Sequence, residues 1–317
     1  MHVLLTDRPW PDSSIEAAIL SAAGHSLTEA PASDEATLVE LAPRFDAIAT
    51  CWAKITQPVL DAAANCRHVA RMGIGLDNID VDACTRRGIP VTNVPDYCVE
   101  EVADHSMACL LDLARNTTAY DRAIKSGSYD LAAGPPMRRL STQTLGIAGF
   151  GRCGQAVAAR SAAFGLRVIA WSKSGNNHGH SAVTMVPFET LLAESDYLSV
   201  NVPLTADTRH LFGASAFAAM KPTAILCNTA RGPVVDQAAL LDALNTGQIG
   251  GAALDVWDPE PPAMDDPLLQ HPRLLATPHA AFVSEESLVE LRERAARQIV
   301  DVLAGRTPES VVNGVTV

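Results

Sequence analysis

The sequence predicts an α/β protein of two doubly wound domains, each a parallel sheet covered by helices, and three observations carry that reading. A chain of 317 residues exceeds what one hydrophobic core organises, and domains of roughly 100 to 200 residues are the usual outcome. Short aliphatic runs alternate with amphipathic segments from the N-terminus to Asn93, and the alternation starts again at Leu145. At that restart a glycine-rich turn joins a strand pattern to a helix pattern, which is where parallel sheets bind anions.

In the first series the aliphatic runs His2 to Leu5, Ala47 to Ala49, Val69 to Arg71 and Pro90 to Asn93 predict strands. Helical periodicity falls between them at Ile15 to Ala23, Glu35 to Leu41, Val59 to Ala64 and Val81 to Arg87. Such alternation builds a parallel sheet, because each crossover needs a helix to return the chain. A long helix is expected over Val99 to Arg115, followed by an exposed loop around Gly134, Pro135 and Pro136. The second series runs from Leu145 through strands at Arg167 to Trp171, Tyr197 to Val200, Ala224 to Asn228, Gly250 to Asp255 and Leu274 to Ala276. A final helix opens with Ser284 as N-cap, carries Leu288, Leu291, Ala295, Ile299, Val302 and Leu303 on one face, and stops at Gly305. Its length suits packing across a domain boundary.

Composition narrows the partners. With 48% hydrophobic and 19% charged residues the chain is an ordinary globular one. A net charge of -12 gives no basic field for nucleic acid or anionic lipid, so neither is an expected partner. No apolar run approaches the roughly 18 residues of a membrane span. The opening HVLLTDRPW reaches Asp7 and Arg8 too early for a secretory signal, so a cytoplasmic location is expected. The seven cysteines are scattered and never spaced C-x-x-C, which suggests neither a zinc site nor a disulfide framework. No metal is expected.

Gly149, Gly151 and Gly154 follow the strand Leu145 to Ala148 and open a helix running to Phe164. In a dinucleotide-binding turn the first glycine permits the bend, the second lets a pyrophosphate approach the backbone, and the third lets helix and strand pack closely. Arg152 and Cys153 lie in the same turn, and Arg152 can add a charge to the pyrophosphate. The next strand commonly ends in an acid that accepts the ribose hydroxyls of NAD. Here it ends in Ser172 and Lys173. A hydroxyl and an ammonium suit the 2'-phosphate that a carboxylate would repel, so NADP(H) is expected in preference to NAD(H).

Past the glycine turn, three residue types stand after strands, where a parallel sheet presents its ligands. Arg231 follows ILCNTA, Glu260 follows GAALDVWDP, and His279 follows LLATP. A hydride moved to a ketone leaves an alkoxide that needs a proton, and histidine titrates closest to neutrality. A carboxylate can hold its ring and favour its charge, and an arginine can clamp a substrate carboxylate. His178 and His180, in the polar loop GNNHGH, are read as surface residues.

These residues and their surroundings resemble the D-isomer-specific 2-hydroxyacid dehydrogenases, a family that includes phosphoglycerate dehydrogenases, glyoxylate/hydroxypyruvate reductases and the C-terminal-binding proteins. The resemblance covers RMGIGLDNIDVDAC, GIPVTNVPDYCVEEVADH, TLGIAGFGRCGQAV, NVPLTADTRHLF, NTARGPVVDQAAL, GAALDVWDPEPP and TPHAA. It implies a Rossmann cofactor domain, residues 99 to 284, inserted into a flavodoxin-like substrate domain of residues 1 to 98 and 285 to 317. Arg231 is then the substrate-binding arginine, Glu260 the partner acid and His279 the general acid/base. Amides near Ile74 and Gly75 form a second clamp on the substrate, and Val202, Pro203, Thr229, Ala230, Asp255, His279 and Ala281 line the cofactor site. The implied activity is hydride transfer between NAD(P)(H) and carbon 2 of a small anionic 2-hydroxy or 2-keto acid, with D (R) stereochemistry, in a homodimer. Trp52, Met72, Tyr97 and Phe282 are expected to shape the pocket for the substrate side chain, and Arg71 or Lys54 to meet a second anionic group. In the C-terminal-binding-protein branch a tryptophan commonly follows PHAA, and here Phe282 stands in its place. That branch also supplies the alternative reading, a nucleotide-sensing, peptide-binding regulator with little turnover.

Overall fold

The computed structural model describes residues 1–317. In chain order it contains β1 (His2–Leu5), α1 (Ser14–Ala22), β2 (Ser26–Glu29), α2 (Glu35–Leu41), β3 (Ala47–Thr50), α3 (Gln57–Ala62), β4 (His68–Arg71), α4 (Val81–Arg86) and β5 (Val91–Thr92). The chain continues with α5 (Val99–Arg115), α6 (Thr117–Lys125), β6 (Thr144–Ala148), α7 (Arg152–Ala163), β7 (Arg167–Trp171), β8 (Thr184–Met185), α8 (Phe188–Glu194) and β9 (Tyr197–Val200). It ends with α9 (Ala214–Ala219), β10 (Ile225–Asn228), α10 (Gln237–Asn245), β11 (Gly251–Leu254), β12 (Leu274–Ala276) and α11 (Glu285–Leu303). Two compact units result, Met1–Tyr97 with Ser284–Val317, and Cys98–Val283.

The first unit is built on a parallel sheet of order β2-β1-β3-β4-β5. This is the flavodoxin-like order, with its switch point between β1 and β3. β3 and β4 are buried along their whole length, which is why AIAT and HVAR read as runs rather than as alternating patterns. α11 packs on α1, β3 and β4. Ser284 caps it in a reciprocal box with Ser287, and Gly305 ends it at φ +74. The Gly305 and Arg306 amides reach back to the Val302 and Asp301 carbonyls at 3.0 and 2.8 Å, the Schellman arrangement that satisfies the helix's last acceptors. The tail then returns beside β5, where Asn313 Oδ1 accepts from Val91 N at 3.1 Å.

The second unit carries a seven-stranded parallel sheet of order β12-β11-β10-β9-β6-β7-β8. Numbered within the unit this is the Rossmann order extended by one strand, with the switch point between β6 and β9. The loops after β6 and β9 therefore flank the crevice where a ligand binds. α7 buries Gly154, Val157, Ala158 and Ser161, small residues that let it lie close on the sheet.

Three elements that the sequence reading does not name have visible reasons for escaping it. β2 is an edge strand whose SLTE carries no apolar run, and β8 has only two residues. α6 follows α5 after one residue, Asn116, which takes the left-handed conformation at φ 56 and breaks the helix. None of the α6 residues is buried, so the segment has no core-facing stripe to read.

Candidate active site

The three glycines of the β6–α7 turn divide the roles that their spacing predicts. Gly149 stands at φ +95, and a Cβ there would lie 2.6 Å from the carbonyl carbon of Asn201 in the loop after β9. At Gly154 it would lie 2.2 Å from Gly149 O, inside the packing of helix on strand. At Gly151 it would meet nothing within 4 Å. The middle glycine thus faces an open cradle at the N-terminus of α7, where amides and helix dipole favour an anion. A dinucleotide pyrophosphate fits there. Arg152 is exposed beside it, and Cys153 is half-buried with its thiol pushed up by desolvation.

Ser172 and Lys173 leave the end of β7 as expected, with one addition. Lys173 Nζ donates to Asp207 Oδ2 at 2.9 Å, both side chains largely exposed, and this hydrogen bond raises the lysine's pKa and lowers the aspartate's. Val202 is buried behind the glycine turn, and Pro203 O accepts from Thr208 Oγ1 at 2.6 Å. His180 is less peripheral than its polar loop suggests. Its Nε2 donates to Gln155 Oε1 at 3.1 Å, and the ring stands edge-on to Phe150 at 5.5 Å between centroids.

After β10, the fully buried Asn228 folds the next turn around itself. Its Oδ1 accepts from Ala230 N at 3.0 Å and its Nδ2 donates to Arg231 O at 2.9 Å. Arg231 is half-buried, with Nη1 tethered to Ala230 O at 2.7 Å, which orients the guanidinium plane. Thr229 Oγ1 lies 2.9 Å from Ser106 Oγ of α5, and Ser106 already donates to Val102 O at 2.7 Å. Thr229 is therefore the donor to Ser106, and its lone pairs remain as acceptors.

The loops after β11 and β12 meet where His279 pairs with Glu260. His279 Nδ1 lies 2.8 Å from Glu260 Oε2, and because a carboxylate only accepts, Nδ1 carries the hydrogen. Glu260 Oε1 accepts from Trp257 N at 2.8 Å, so both oxygens of this exposed carboxylate are ordered. Phe282 meets the imidazole edge-on, centroids 5.9 Å apart. The His279 backbone stands at φ +54, an uncommon conformation for a non-glycine residue. Asp255, 2% exposed, holds it there. Its carbonyl accepts from His279 N at 2.7 Å, and its carboxylate accepts from Ala280 N at 2.8 Å and Ala281 N at 2.9 Å.

In the first unit, Ile74 and Gly75 lie in the turn after β4. Asn93 Nδ2 donates to Ile74 O at 2.8 Å and Val94 N to Gly73 O at 3.1 Å, which pins the turn to the strand beside it. Arg71 is buried and donates to Met72 O. A cavity of about 440 Å³ opens at the β1/β3 switch point, lined by Asp7, Trp52 and Lys54 among others. Asp7 shapes its wall by accepting from the amides of Cys51, Trp52 and Ala53 at 3.0, 2.7 and 3.1 Å.

Comparison with known proteins decides the family. Residues 107–281 match the family described as D-isomer specific 2-hydroxyacid dehydrogenase, NAD binding domain. The chain belongs to the D-isomer-specific 2-hydroxyacid dehydrogenase family. It is 40% identical over 291 residues to a glyoxylate reductase of Korarchaeum cryptofilum, covering 90% of this chain and 87% of that one. Among solved structures it is similar to D-lactate dehydrogenase from Aquifex aeolicus complexed with NAD and lactic acid, with a TM-score of 0.87, 29% identity and 96% of each chain covered. It is also similar to an acyclic imino acid reductase in complex with NADPH and D-Arg, with a TM-score of 0.87, 25% identity, and 98% of this chain and 100% of that one covered. As a D-2-hydroxyacid dehydrogenase the protein is an NAD(P)-dependent oxidoreductase that moves a hydride to or from small 2-hydroxy and 2-keto acids with D stereochemistry. No helix is long and apolar enough to cross a membrane.

Thr277, 2.6 Å from Asp255, and His105 of α5, 3.0 Å from Thr277, join Asn228 as residues beside the site that the sequence does not point to. Asn228 and Thr277 stand at strand ends, where polar residues are common. His105 lies inside a helix whose periodicity accounts for its position without any site.

Proposed function

We propose that the protein reduces a short 2-keto acid to its D-2-hydroxy acid, with His279 as proton donor, Glu260 as its partner and Arg231 as the substrate clamp. The observation that carries this reading is the 2.8 Å Glu260–His279 pair on a turn fixed by Asp255. When bound, the nicotinamide supplies the hydride to carbon 2. His279 Nε2 gives a proton to the oxygen as charge develops there, and Glu260 steadies the imidazolium. Arg231 holds the substrate carboxylate, with the amides at Ile74 and Gly75 as further donors. Gly149, Gly151, Arg152, Cys153 and Gly154 would hold the pyrophosphate. Ser172 and Lys173 would take the adenosine ribose, and Val202, Pro203, Thr229, Ala230, Asp255, His279 and Ala281 the nicotinamide half. In the reverse direction His279 takes the proton back.

The substrate we infer is of glyoxylate size, supported by the 40% identical glyoxylate reductase, with residues 1–98 and 285–317 as substrate domain and 99–284 as cofactor domain. Trp52 and Lys54, on the cavity of the first unit, would meet the side chain of any larger 2-keto acid. We favour NADP(H) over NAD(H), because Ser172 replaces the ribose-binding acid and Lys173 is exposed next to it. A bound phosphate would draw Lys173 away from Asp207, an exposed pairing that contributes little. A homodimer is supported by α6 and the segment after it, where Ile124, Tyr129 and Leu131 are 59%, 94% and 89% exposed. Light scattering showing a single-chain mass would refute it. A cytoplasmic location agrees with seven free thiols, and the net charge of -12 offers nothing to nucleic acid.

The test is reduced-nicotinamide absorbance with NADPH or NADH against a panel of 2-keto acids, for the wild type and Ser172→Asp. Turnover favouring NADPH in the wild type, and shifted about tenfold or more toward NADH in the variant, supports both parts of the reading. Equal use of the two cofactors in both proteins refutes the NADP preference alone. Nucleotide binding without turnover on any acid points instead to the sensing regulator.

A further inference from the structure

Behind the turn that carries His279, Asp255 meets two side chains of the second unit with no role in the chemistry above, His105 and Thr277. His105 of α5 places Nε2 3.0 Å from Thr277 Oγ1 and 3.5 Å from Asp255 Oδ1. Thr277 Oγ1 lies 2.6 Å from Asp255 Oδ1. The directions follow from counting hydrogens. A hydroxyl has one, and a carboxylate has none, so Thr277 donates to Asp255 and accepts from His105. Nε2 of His105 therefore carries a hydrogen. Its hydrogen bond to Cys109, with smaller help from the charges of Cys109 and Asp255, raises the proton affinity of this ring against its burial.

Asp255 is the hub of the arrangement. The same Oδ1 that accepts from Thr277 accepts from Ala280 N at 2.8 Å, Oδ2 accepts from Ala281 N at 2.9 Å, and the carbonyl accepts from His279 N at 2.7 Å. His279 sits between these anchors at φ +54. A non-glycine residue in that region is strained and keeps the conformation only when its surroundings over-determine it. The carboxylate can do so only if its own orientation is fixed.

We propose that His105 is a positioning residue for proton transfer at His279, acting through Thr277 and Asp255. His105 donates to Thr277, which turns the hydroxyl hydrogen toward Asp255. That bond sets the rotation of the buried carboxylate, and the carboxylate sets the turn. Without the His105 donor the Thr277 hydroxyl can rotate away, Oδ1 loses its shortest bond, and the imidazole drifts from the line that Glu260 and the substrate oxygen require. Misplacement by about an ångström is enough to cost up to a hundredfold in rate. The inference rests on His279 being the proton donor.

The test compares kcat, KM and thermal midpoint for His105→Leu, His105→Gln, Thr277→Val and the double variant His105→Leu/Thr277→Val, beside His279→Ala. Leucine fills the space of the ring without a donor, whereas glutamine can set an amide N–H near the Nε2 position. We expect kcat for keto-acid reduction to fall about tenfold in His105→Leu with KM nearly unchanged, and to recover largely in His105→Gln. Thr277→Val should match His105→Leu, and the double variant should be no slower than either, since both break one chain of contacts. Should His105→Leu not fold, Thr277→Val against Thr277→Ser carries the same contrast. A His105→Leu enzyme with wild-type kcat overturns the proposal, as do leucine and glutamine variants that are equally slow. If activity survives His279→Ala, the donor reading fails and takes this inference with it. If His279→Ala is inactive while His105→Leu is not, only the inference fails.

Discussion

Glu260 is exposed in a proline-rich turn, surroundings in which a carboxylate is ordinarily just solvated. What distinguishes it is that both oxygens are committed, one to the Trp257 amide and one to His279 Nδ1. Arg231, Glu260 and His279 are legible in sequence because each is a chemistry-bearing type placed just past a strand, where ligands bind. The holding roles are not legible: Asn228 bonds locally to the Ala230 and Arg231 backbone, as many strand-end asparagines can, while Thr277 and Asp255, the latter named only as a cofactor-site residue, act across separations that only the folded sheet closes. The glycine turn makes a prediction of its own. Gly151→Val adds a side chain to open space, so the protein should keep its thermal midpoint and lose at least about tenfold in cofactor affinity. Gly154→Val drives a side chain into Gly149 O, so its midpoint should drop by several degrees. Calorimetry and nucleotide titration on both variants check this, and a Gly151→Val protein that binds normally contradicts the cradle.

At the scale of elements, α11 shows how capping and a buried ion pair share the work of docking a helix. Arg292 is 8% exposed and meets Glu16 of α1 through Nε and Nη2 at 2.9 and 2.8 Å. Truncating Arg292 to leucine leaves a buried carboxylate uncompensated, at a cost of about 3 to 5 kcal/mol. Ser284→Ala removes one cap and should cost about 1 kcal/mol. Urea unfolding of the two variants should give that order, and a smaller loss for Arg292→Leu than for Ser284→Ala would contradict the account of the docking. The start, stop and apolar face of α11 could be read directly, since Ser284, the leucine spacing and Gly305 are local signals. Arg292 could not, since a charged residue on a buried face looks like a break in the pattern until Glu16 is beside it. β2 escaped notice for the opposite reason, an edge strand with polar side chains and no pattern to betray it.

For the whole molecule, the fold class followed from β-α alternation, whereas the strand orders came from pairing that sequence does not record. One consequence of burying the central strands of a sheet is a pH limit on stability. His68 of β4 is fully buried, with Nε2 2.9 Å from Thr92 Oγ1, and burial lowers its pKa from 6.5 to about 3. Above pH 6.5 folded and unfolded chains both hold the ring neutral, so His68 adds no pH dependence. Below that the unfolded chain takes a proton that the folded chain refuses, and stability falls as the pH drops, by roughly 3 kcal/mol near pH 4. His68→Gln should remove this limb from a series of urea midpoints, and parallel curves for variant and wild type would contradict the assignment.

Hydride transfer to carbon 2 with His279 as proton donor leaves an isotopic record in the product. Cofactor carrying deuterium at the transferred position of the nicotinamide is incubated with glyoxylate, pyruvate or hydroxypyruvate, and the hydroxy acid is analysed for label and chirality. Deuterium is expected on carbon 2, with D configuration where that carbon is a stereocentre, and His279→Ala should lose about a hundredfold or more in rate. Product without deuterium, or full rate without His279, would contradict this mechanism.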